Sequence, residues 1–271
     1  MDSTPSKARY VVVAFMITLA VITYIDRVGI AVALPLIRDE LKLSPIQMGW
    51  TLAAFAWAYA VFEIPGGWLG DKIGPRRVLM RIVLWWSVFT AATGWVWNPS
   101  SLIVTRALFG AGEAGAFPNL TRVLTTWLPV KDRERTQAWV WLATRLSGAF
   151  TPILVATLIA AISWRRTFEL FGVIGVIWAV LFFRWFRDAP SEHPSVNQAE
   201  LALLPPAKDT AIVRDLYTQT IDITVTPVAV FTASGPPLSL RGGTQDVRQF
   251  AERWAQRHRR RQLQGDDHAP H

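Results

Sequence analysis

The stretch GGWLGDKIGPRR, residues 66–77, lies between two long apolar runs of the sequence. It contains one acidic and three basic residues within twelve positions, and such charges are costly to place in the hydrocarbon of a membrane. The stretch therefore predicts a short polar connector between two helices that cross a bilayer.

Apolar runs like the two beside this connector recur along the chain before residue 188. Of the 271 residues, 51% are hydrophobic, and each run has roughly the 20 residues that cross about 30 Å of hydrocarbon. The predicted fold is an all-α membrane protein, a bundle of six transmembrane helices joined by short connectors. The predicted spans are residues 10–36, 47–69, 79–97, 101–121, 138–162 and 167–186.

Composition divides the chain into three predicted regions. Residues 1–187 form the transmembrane bundle, and residues 188–204 form a polar, proline-bearing cytoplasmic linker. Residues 205–271 offer no further run long enough to cross a membrane, so we expect a divergent, disordered, non-membrane tail. Its arginines at 257 and 259–261 leave open binding to anionic lipid or nucleic acid. No aromatic interleaving accompanies them, which favours a solvated tail without a nucleic-acid partner.

Lysines and arginines near the span ends predict the orientation, because these residues are enriched on the cytoplasmic side of membranes. With a cytoplasmic N-terminus, twelve of them lie inside and four outside. The outer four are Arg38, Lys42, Arg165 and Arg166. The N-terminus is therefore expected in the cytoplasm.

Small residues are concentrated in the fourth and sixth predicted spans. Helices in lipid associate through close backbone approach rather than through the hydrophobic effect. We therefore interpret these residues as packing sites rather than ligand contacts. They are Gly110, Ala111, Gly112, Ala114, Gly115, Ala116, Gly172 and Gly175.

Ionisable side chains within the predicted spans are functional candidates, because each costs at least about 2.5 kcal/mol at the centre of a bilayer. They are Asp26, Arg27, Glu63, Arg106, Glu113 and Arg145. Arg106 and Glu113 would project within about 20° of each other from one helix. Three acids and three bases favour mutual pairing in a polar interior. An alternative is that they only join helices, and Glu63, near a span end, could instead reach water.

The 66–77 connector resembles the loop signature G-x-L-x-D-R/K-x-G-R-R/K between the second and third helices of the major facilitator superfamily. The matching positions are Gly67, Leu69, Asp71, Lys72, Gly74 and Arg76, with Arg77 as a further base. Pro75 departs from the pattern. The segments YIDR (24–27), RALFGAGEAGAFP (106–118) and WRRTF (164–168) are similar to the anion:cation symporter branch. Bacterial members of that branch include hexuronate, galactonate and glucarate transporters, and the likeness covers residues 9–203.

This resemblance implies the N-terminal six-helix half of such a fold, with two inverted three-helix repeats and a proton as coupling ion. The implied substrate-binding residues are Tyr24, Arg27, Tyr59 and Arg145. The implied proton-coupling residues are Asp26, Glu113 and Arg106. The implied gating loop, which latches one half against the other, contains Gly67, Asp71, Lys72, Gly74, Arg76 and Arg77. Arg145 departs from the galactonate-type members, which have a neutral polar residue in this neighbourhood.

Complete members of this superfamily contain two six-helix halves with the substrate between them. The sequence therefore predicts a truncated or frameshifted product of an inner-membrane sugar-acid symporter, not competent for transport alone. Two alternatives remain open, a half-transporter that works as a homodimer and a non-transport membrane scaffold with a basic tail. The expected partners are a small organic anion, the lipid bilayer, and the missing half or a second copy.

An enzymatic function, a metal site and a cofactor are not expected. The chain contains no glycine-rich phosphate loop, and its four histidines all follow the last predicted span. Cysteine is absent, so there is no thiolate ligand for a metal.

Overall fold

The computed structural model describes residues 4–205, and the regular elements in this range are helices. The main helices are α1 (Ala8–Leu41), α2 (Pro45–Ile73), α3 (Pro75–Thr93), α4 (Pro99–Glu113), α5 (Ala116–Trp127), α6 (Val130–Ile162) and α7 (Trp164–Trp185). A 3₁₀ helix (Pro190–Glu192) and the short helix α8 (Gln198–Leu201) follow. The predicted all-α fold is confirmed for this part of the chain.

Polar residues cap the helices that follow two of the short connectors. Ser44 and Gln47 form a capping box at the start of α2, in which each side chain accepts a hydrogen bond from the backbone N–H of the other residue. Asn98 and Ser101 form the same arrangement at the start of α4. Both boxes satisfy amides that have no partner within the helix.

Four helices, α1, α2, α6 and α7, are long and apolar enough to cross a membrane. They lie at four of the six predicted spans, and α1 extends beyond the predicted 10–36 at both ends. Helix α3 lies at the predicted span 79–97, but its length and composition alone do not place it across a membrane. The predicted count of six spans is thus supported for four helices by this criterion.

The prediction of one continuous helix at residues 101–121 is wrong. Helix α4 ends at Glu113 and α5 begins at Ala116. Between them Gly115 has a φ of +84°, a conformation that glycine adopts at little cost because it has no Cβ. The small-residue run at 110–116 is compatible with a helix, so the sequence pattern did not reveal this break.

Glycines set the closest helix contacts. Helix α3 packs against α7, and α2 packs against α4. A Cβ on Gly172 of α7 would lie 2.6 Å from the carbonyl oxygen of Ser87, and a Cβ on Gly175 would overlap the Ser87 hydroxyl. Gly110 of α4 is equally close to Phe55 of α2, at 2.5 Å. The prediction that these small residues serve packing is confirmed at these three positions.

Two apolar clusters lie at different levels of the bundle and leave a polar layer between them. The first surrounds the N-terminal half of α1 and includes Trp86, Trp127 and Phe182. The second surrounds the C-terminal half of α1 and includes Ile37 and Phe168. The charged residues Asp26 and Arg27 of α1 therefore lie between the two apolar clusters.

Arg165 joins three helix ends on the side of the bundle opposite the 66–77 connector. Its guanidinium lies 2.7 Å from Glu40 at the end of α1. The same group donates to the carbonyl oxygens of Gly94, at 2.7 Å, and Val96, at 2.9 Å. These bonds hold the start of α7 against the ends of α1 and α3.

Residues 188–204, predicted as a polar linker, fold back onto the start of α1. The Ser6 N–H donates to Asn197 at 3.1 Å. The completely buried Glu200 accepts from the Arg9 N–H at 3.1 Å and from the Ser6 hydroxyl. These contacts were not predicted from the sequence pattern. The predicted tail from residue 206 onward lies outside the described residues.

Candidate functional site

An ion pair joins α1 to α4 in the polar layer. Arg27 Nε donates to Glu113 Oε1 at 2.7 Å. The Glu113 side chain is completely buried, whereas 22% of the Arg27 side chain is exposed. Arg27 therefore links a buried carboxylate to a position that solvent can reach.

Four aromatic rings surround the Arg27 guanidinium, and we call them the aromatic cage. Their centroids lie 4.5 Å (Tyr59), 5.4 Å (Phe55), 5.6 Å (Phe117) and 5.8 Å (Tyr24) from its central carbon. A guanidinium over aromatic faces is stabilised by the ring quadrupole. Tyr24 and Tyr59 were predicted here, but Phe55 and Phe117 were not, because an aromatic residue in an apolar span is usually a packing residue.

A second pair of charged residues lies deeper in the same layer. Asp26 and Arg106 are each only 2% exposed. Asp26 has Arg106, Glu113 and the hydroxyl of Thr90 as its electrostatic neighbours. Neither Asp26 oxygen makes a hydrogen bond within residues 4–205, and neither does Arg106 Nε. The structure thus brings together the charges predicted on the first and fourth spans.

Helix α2 extends this polar region with Tyr59 and Glu63. The Tyr59 hydroxyl donates to Glu63 Oε1 at 3.2 Å, across one helical turn. Both residues are half-buried. Glu63 therefore lies next to the aromatic cage through Tyr59.

Arg145 lies on an exposed stripe of α6 that begins beside the aromatic cage. Trp141, one turn earlier, stacks on Phe117 with centroids 5.6 Å apart and planes 2° from parallel. A Cβ on Gly148, one turn later, would lie 3.7 Å from the ring of Tyr24. Arg145 forms no ion pair with the described residues. It is therefore positioned between two contacts to cage residues without being bound itself.

The predicted gating residues divide into bonded and exposed groups. Arg76 donates to the Phe183 carbonyl oxygen at 2.6 Å, and its N–H donates to Asp188 at 2.8 Å. Gly74 has a φ of +89°, and a Cβ there would lie 2.6 Å from the Asp188 carboxylate. Arg77 is exposed.

The remaining residues of the predicted gating loop contact α5 or a neighbouring residue of α2. Asp71 forms an ion pair with Arg122 of α5. Lys72 lies 5.0 Å above the ring of Trp68 on its own helix. A Cβ on Gly67 would lie 3.2 Å from Pro118. The connector therefore touches both α5 and the segment after α7.

The α4–α5 break is held against α2 by backbone contacts. A Cβ on Gly66 would lie 2.9 Å from Gly115 Cα, and a Cβ on Gly115 would lie 2.7 Å from Gly66 Cα. Asn119 donates to the carbonyl oxygens of Gly66, at 3.1 Å, and Gly115, at 2.8 Å. This junction lies two residues after Glu113 in the chain.

The described residues contain no group of three His, Asp or Glu side chains that could hold a metal ion. The arrangement instead offers guanidinium groups to an anion and carboxylates to a proton. Both chemistries meet at Arg27 and Glu113.

Residues 16–244 match the family model of the Major Facilitator Superfamily. The chain belongs to this superfamily. The match extends past residue 205, the first residue of the predicted divergent tail. A probable sulfoacetate transporter of Cupriavidus necator is 42% identical over 72% of this chain and 45% of its own length. The hexuronate transporter of Bacillus subtilis is 34% identical over 69% of this chain and 44% of its own length.

Further relatives are a D-galactonate transporter and a probable galactarate/D-glucarate transporter, both of Escherichia coli. Among solved structures, an inward-facing bacterial homologue of the lysosomal transporter Spinster superposes with a TM-score of 0.62 at 21% identity. The superposition covers 71% of this chain and 46% of the Spinster homologue, and a likeness at this level of identity shows the fold alone.

These comparisons confirm the predicted family and its transporter character. The chain is a multi-pass membrane protein of a family of transporters rather than enzymes. It spans about half the length of the curated relatives it matches.

Proposed function

We propose that the chain forms the N-terminal half of a proton-coupled symporter for small organic anions, with sugar acids as the leading class. The observation that carries this proposal is the 2.7 Å ion pair between Arg27 and the buried Glu113. It places an anion-binding group and a protonatable group in direct competition. The names of the relatives support an organic anion as substrate.

The proposed coupling follows from this competition. A substrate carboxylate that binds Arg27 displaces Glu113 from its only hydrogen-bonded partner within the described residues. A displaced carboxylate in a buried site favours its neutral form, so it takes up a proton. Asp26 beside Arg106 is a second group that can hold a proton in the same layer. Proton and anion then favour each other's binding, and this free-energy coupling is reciprocal.

We assign the 66–77 connector a gating role. Its Arg76 is bonded to the segment after α7, and its Asp71 is bonded to α5. Breaking either contact would free the connector from one neighbour. Arg77 is exposed and available to a partner on the same side.

The face that would meet a partner contains α2 and α6. The most apolar stretch of α2 has no buried residue, and Trp57, Ile64, Trp139 and Phe150 are all exposed. Lipid can cover part of this surface, but not the charged side chains at its centre. We propose that a second six-helix half or a second copy covers that centre, in the inner membrane with a cytoplasmic N-terminus.

Anion binding to the purified chain in lipid nanodiscs tests the proposal. Glucuronate and sulfoacetate should bind with uptake of protons from a weakly buffered solution, and Arg27→Gln should abolish both effects. Binding that survives Arg27→Gln unchanged would contradict the assigned site. Crosslinking in membranes separates the partners, since a second copy yields a dimer and a separate half does not.

A further inference from the structure

We infer that the site selects anions with two negative groups, one bound by Arg27 and the other by Arg145. This inference rests on the proposed function and specifies its substrate class. The class includes dicarboxylic sugar acids and sulfonated carboxylates. Monocarboxylates of the same size would use only one of the two guanidinium groups.

The register of α6 places Arg145 on the side of the cage. Four residues after Trp141 and three before Gly148, it lies within about 40° and 60° of them around the helix axis. Trp141 stacks on Phe117 of the aromatic cage, and a Cβ built on Gly148 would lie 3.7 Å from the ring of Tyr24. Arg145 therefore lies on the part of α6 that borders the cage, and its side chain, like that of Arg27, is accessible to solvent.

The bonding state of the arginines separates their roles. Arg27 is bonded to Glu113, and Arg106 is buried beside Asp26. Arg145 is exposed and forms no hydrogen bond or ion pair within residues 4–205. Glu63, the remaining acid of the region, is bonded to Tyr59 on its own helix. Arg145 is thus the guanidinium that can accept a new anionic partner without breaking an existing contact.

Charge balance favours two negative groups on the substrate. Three carboxylates and three guanidinium groups would be neutral together when all are ionised. Protons on Asp26 and Glu113 would leave an excess of two positive charges. A dianion neutralises this excess, whereas a monoanion leaves one positive charge uncompensated.

D-Glucarate and D-glucuronate make a matched pair of probes. Both have six carbons, but glucarate carries a second carboxylate where glucuronate has an aldehyde. Charge-assisted hydrogen bonds of this kind should make glucarate bind at least about tenfold tighter to the full chain, measured by calorimetry in nanodiscs. Sulfoacetate, with a sulfonate and a carboxylate, should also bind tightly.

Arg145→Gln should lower glucarate affinity about tenfold and reduce the glucarate preference to less than about twofold, because Gln removes the charge but keeps a polar side chain. Arg145→Lys should retain the preference. Arg135→Gln, an exposed position on the same helix, is the matched control and should behave as the wild type.

The outcomes distinguish this inference from the proposed function. Equal affinity for both sugar acids, unchanged by Arg145→Gln but lost in Arg27→Gln, would overturn the inference and leave the proposed function standing. Binding of none of the three anions would contradict the proposed function itself. An equal loss of glucarate and glucuronate binding in Arg145→Gln would also overturn the inference, since Arg145 would then not discriminate by charge.

Discussion

Arg27 and Glu113 belong to different helices, and the bond between them links the exposed part of the site to its buried part at 2.7 Å. Glu113 is the last residue of α4, immediately before the chain turns into α5. An anion can therefore bind Arg27 fully only when this carboxylate moves or becomes neutral.

Glu113→Gln should uncouple anion binding from the proton. Gln is neutral and similar in size, so it does not compete for Arg27 as a carboxylate does. Anion affinity near neutral pH should rise, by about tenfold if one charge-assisted bond is released, and proton uptake on binding should fall. Calorimetry in buffers of different ionisation enthalpy measures both quantities.

Glu134→Gln provides the control for this experiment, because Glu134 is an exposed acid of α6. It should leave affinity and proton uptake unchanged. Proton uptake that stays at the wild-type value in Glu113→Gln would assign the coupled proton elsewhere, with Asp26→Asn as the next variant to measure.

Arg27→Lys should weaken anion binding although the charge is kept. The planar guanidinium lies over Tyr59 and donates to Glu113 at the same time. Lysine offers a point charge without that planar fork, so affinity should fall about tenfold. Arg77→Lys, at an exposed position, should have no effect. Equal affinity of Arg27→Lys and wild type would show that charge alone is needed.

Gly66→Ala should destabilise the bundle through the junction of α2 with the α4–α5 break. The new Cβ would lie 2.8 Å from the Ala114 carbonyl oxygen, a backbone atom that no side-chain rotation can move. Overpacking of this kind typically costs about 1–3 kcal/mol, which thermal unfolding in detergent would detect.

Gly49→Ala is the matched control on α2, because a Cβ there meets no atom within 4 Å. It should be neutral or stabilising, since alanine is the better helix former by about 1 kcal/mol. Similar melting temperatures for the two variants would show that the junction tolerates a side chain.

Acidification should loosen residues 188–205 through His193. This side chain is buried between the rings of Trp127 and Trp185. Ser195 N–H donates to its Nδ1, so the neutral ring donates from Nε2 to the Trp185 carbonyl oxygen. Burial lowers the pKa of His193, with Arg187 acting in the same direction and Glu200 opposing it.

Because the folded-state pKa lies below the ordinary value of about 6.5, this stabilisation is fully present above that ordinary value and is lost as pH falls below it through the folded-state pKa. Hydrogen-exchange protection of residues 190–204, corrected for intrinsic exchange rates, should decrease between about pH 7.5 and pH 5.5. His193→Gln should remove most of that decrease. Protection that falls equally in the variant would attribute the change to another group.

The contribution of Asp188 to stability should depend on pH in the opposite sense to that of His193. Burial raises the pKa of Asp188, although the bond from the Arg76 N–H and the nearby arginines oppose this. A raised folded-state pKa makes its contribution largest at low pH and smaller as pH rises through that value. Asp188→Asn should therefore change unfolding free energy near neutral pH by less than about 0.5 kcal/mol. Asp188→Leu should cost about 1–3 kcal/mol, since the Arg76 N–H loses its acceptor.

The helical architecture was predictable because the bilayer imposes a length and a polarity on each span. The runs that became α1, α2, α6 and α7 carry that signal directly. The break at Gly115 was not predictable, because the local sequence does not distinguish a glycine with a positive φ from a glycine within a packed helix. Only the contact with Gly66 in another helix shows which one is present.

The charged residues of the site were predictable for a different reason. Asp26 and Arg106 are ionisable residues in apolar stretches, so each can be recognised from the sequence without knowledge of its neighbours in space. The cage residues Phe55 and Phe117 have no such contrast with the apolar spans around them. Their role depends on where the Arg27 guanidinium lies, and that position depends on packing between helices distant in the sequence.

The direct contact of Gly66 with Gly115 has a mechanical consequence. With no side chain between the two backbones, a displacement of the Pro65–Gly66 segment presses immediately on the turn that carries Glu113. Helix α2, which contains Gly66, continues into the 66–77 connector with Asp71. We therefore expect a movement of that connector to change the distance between Glu113 and Arg27, because a single helix and one direct backbone contact join the two.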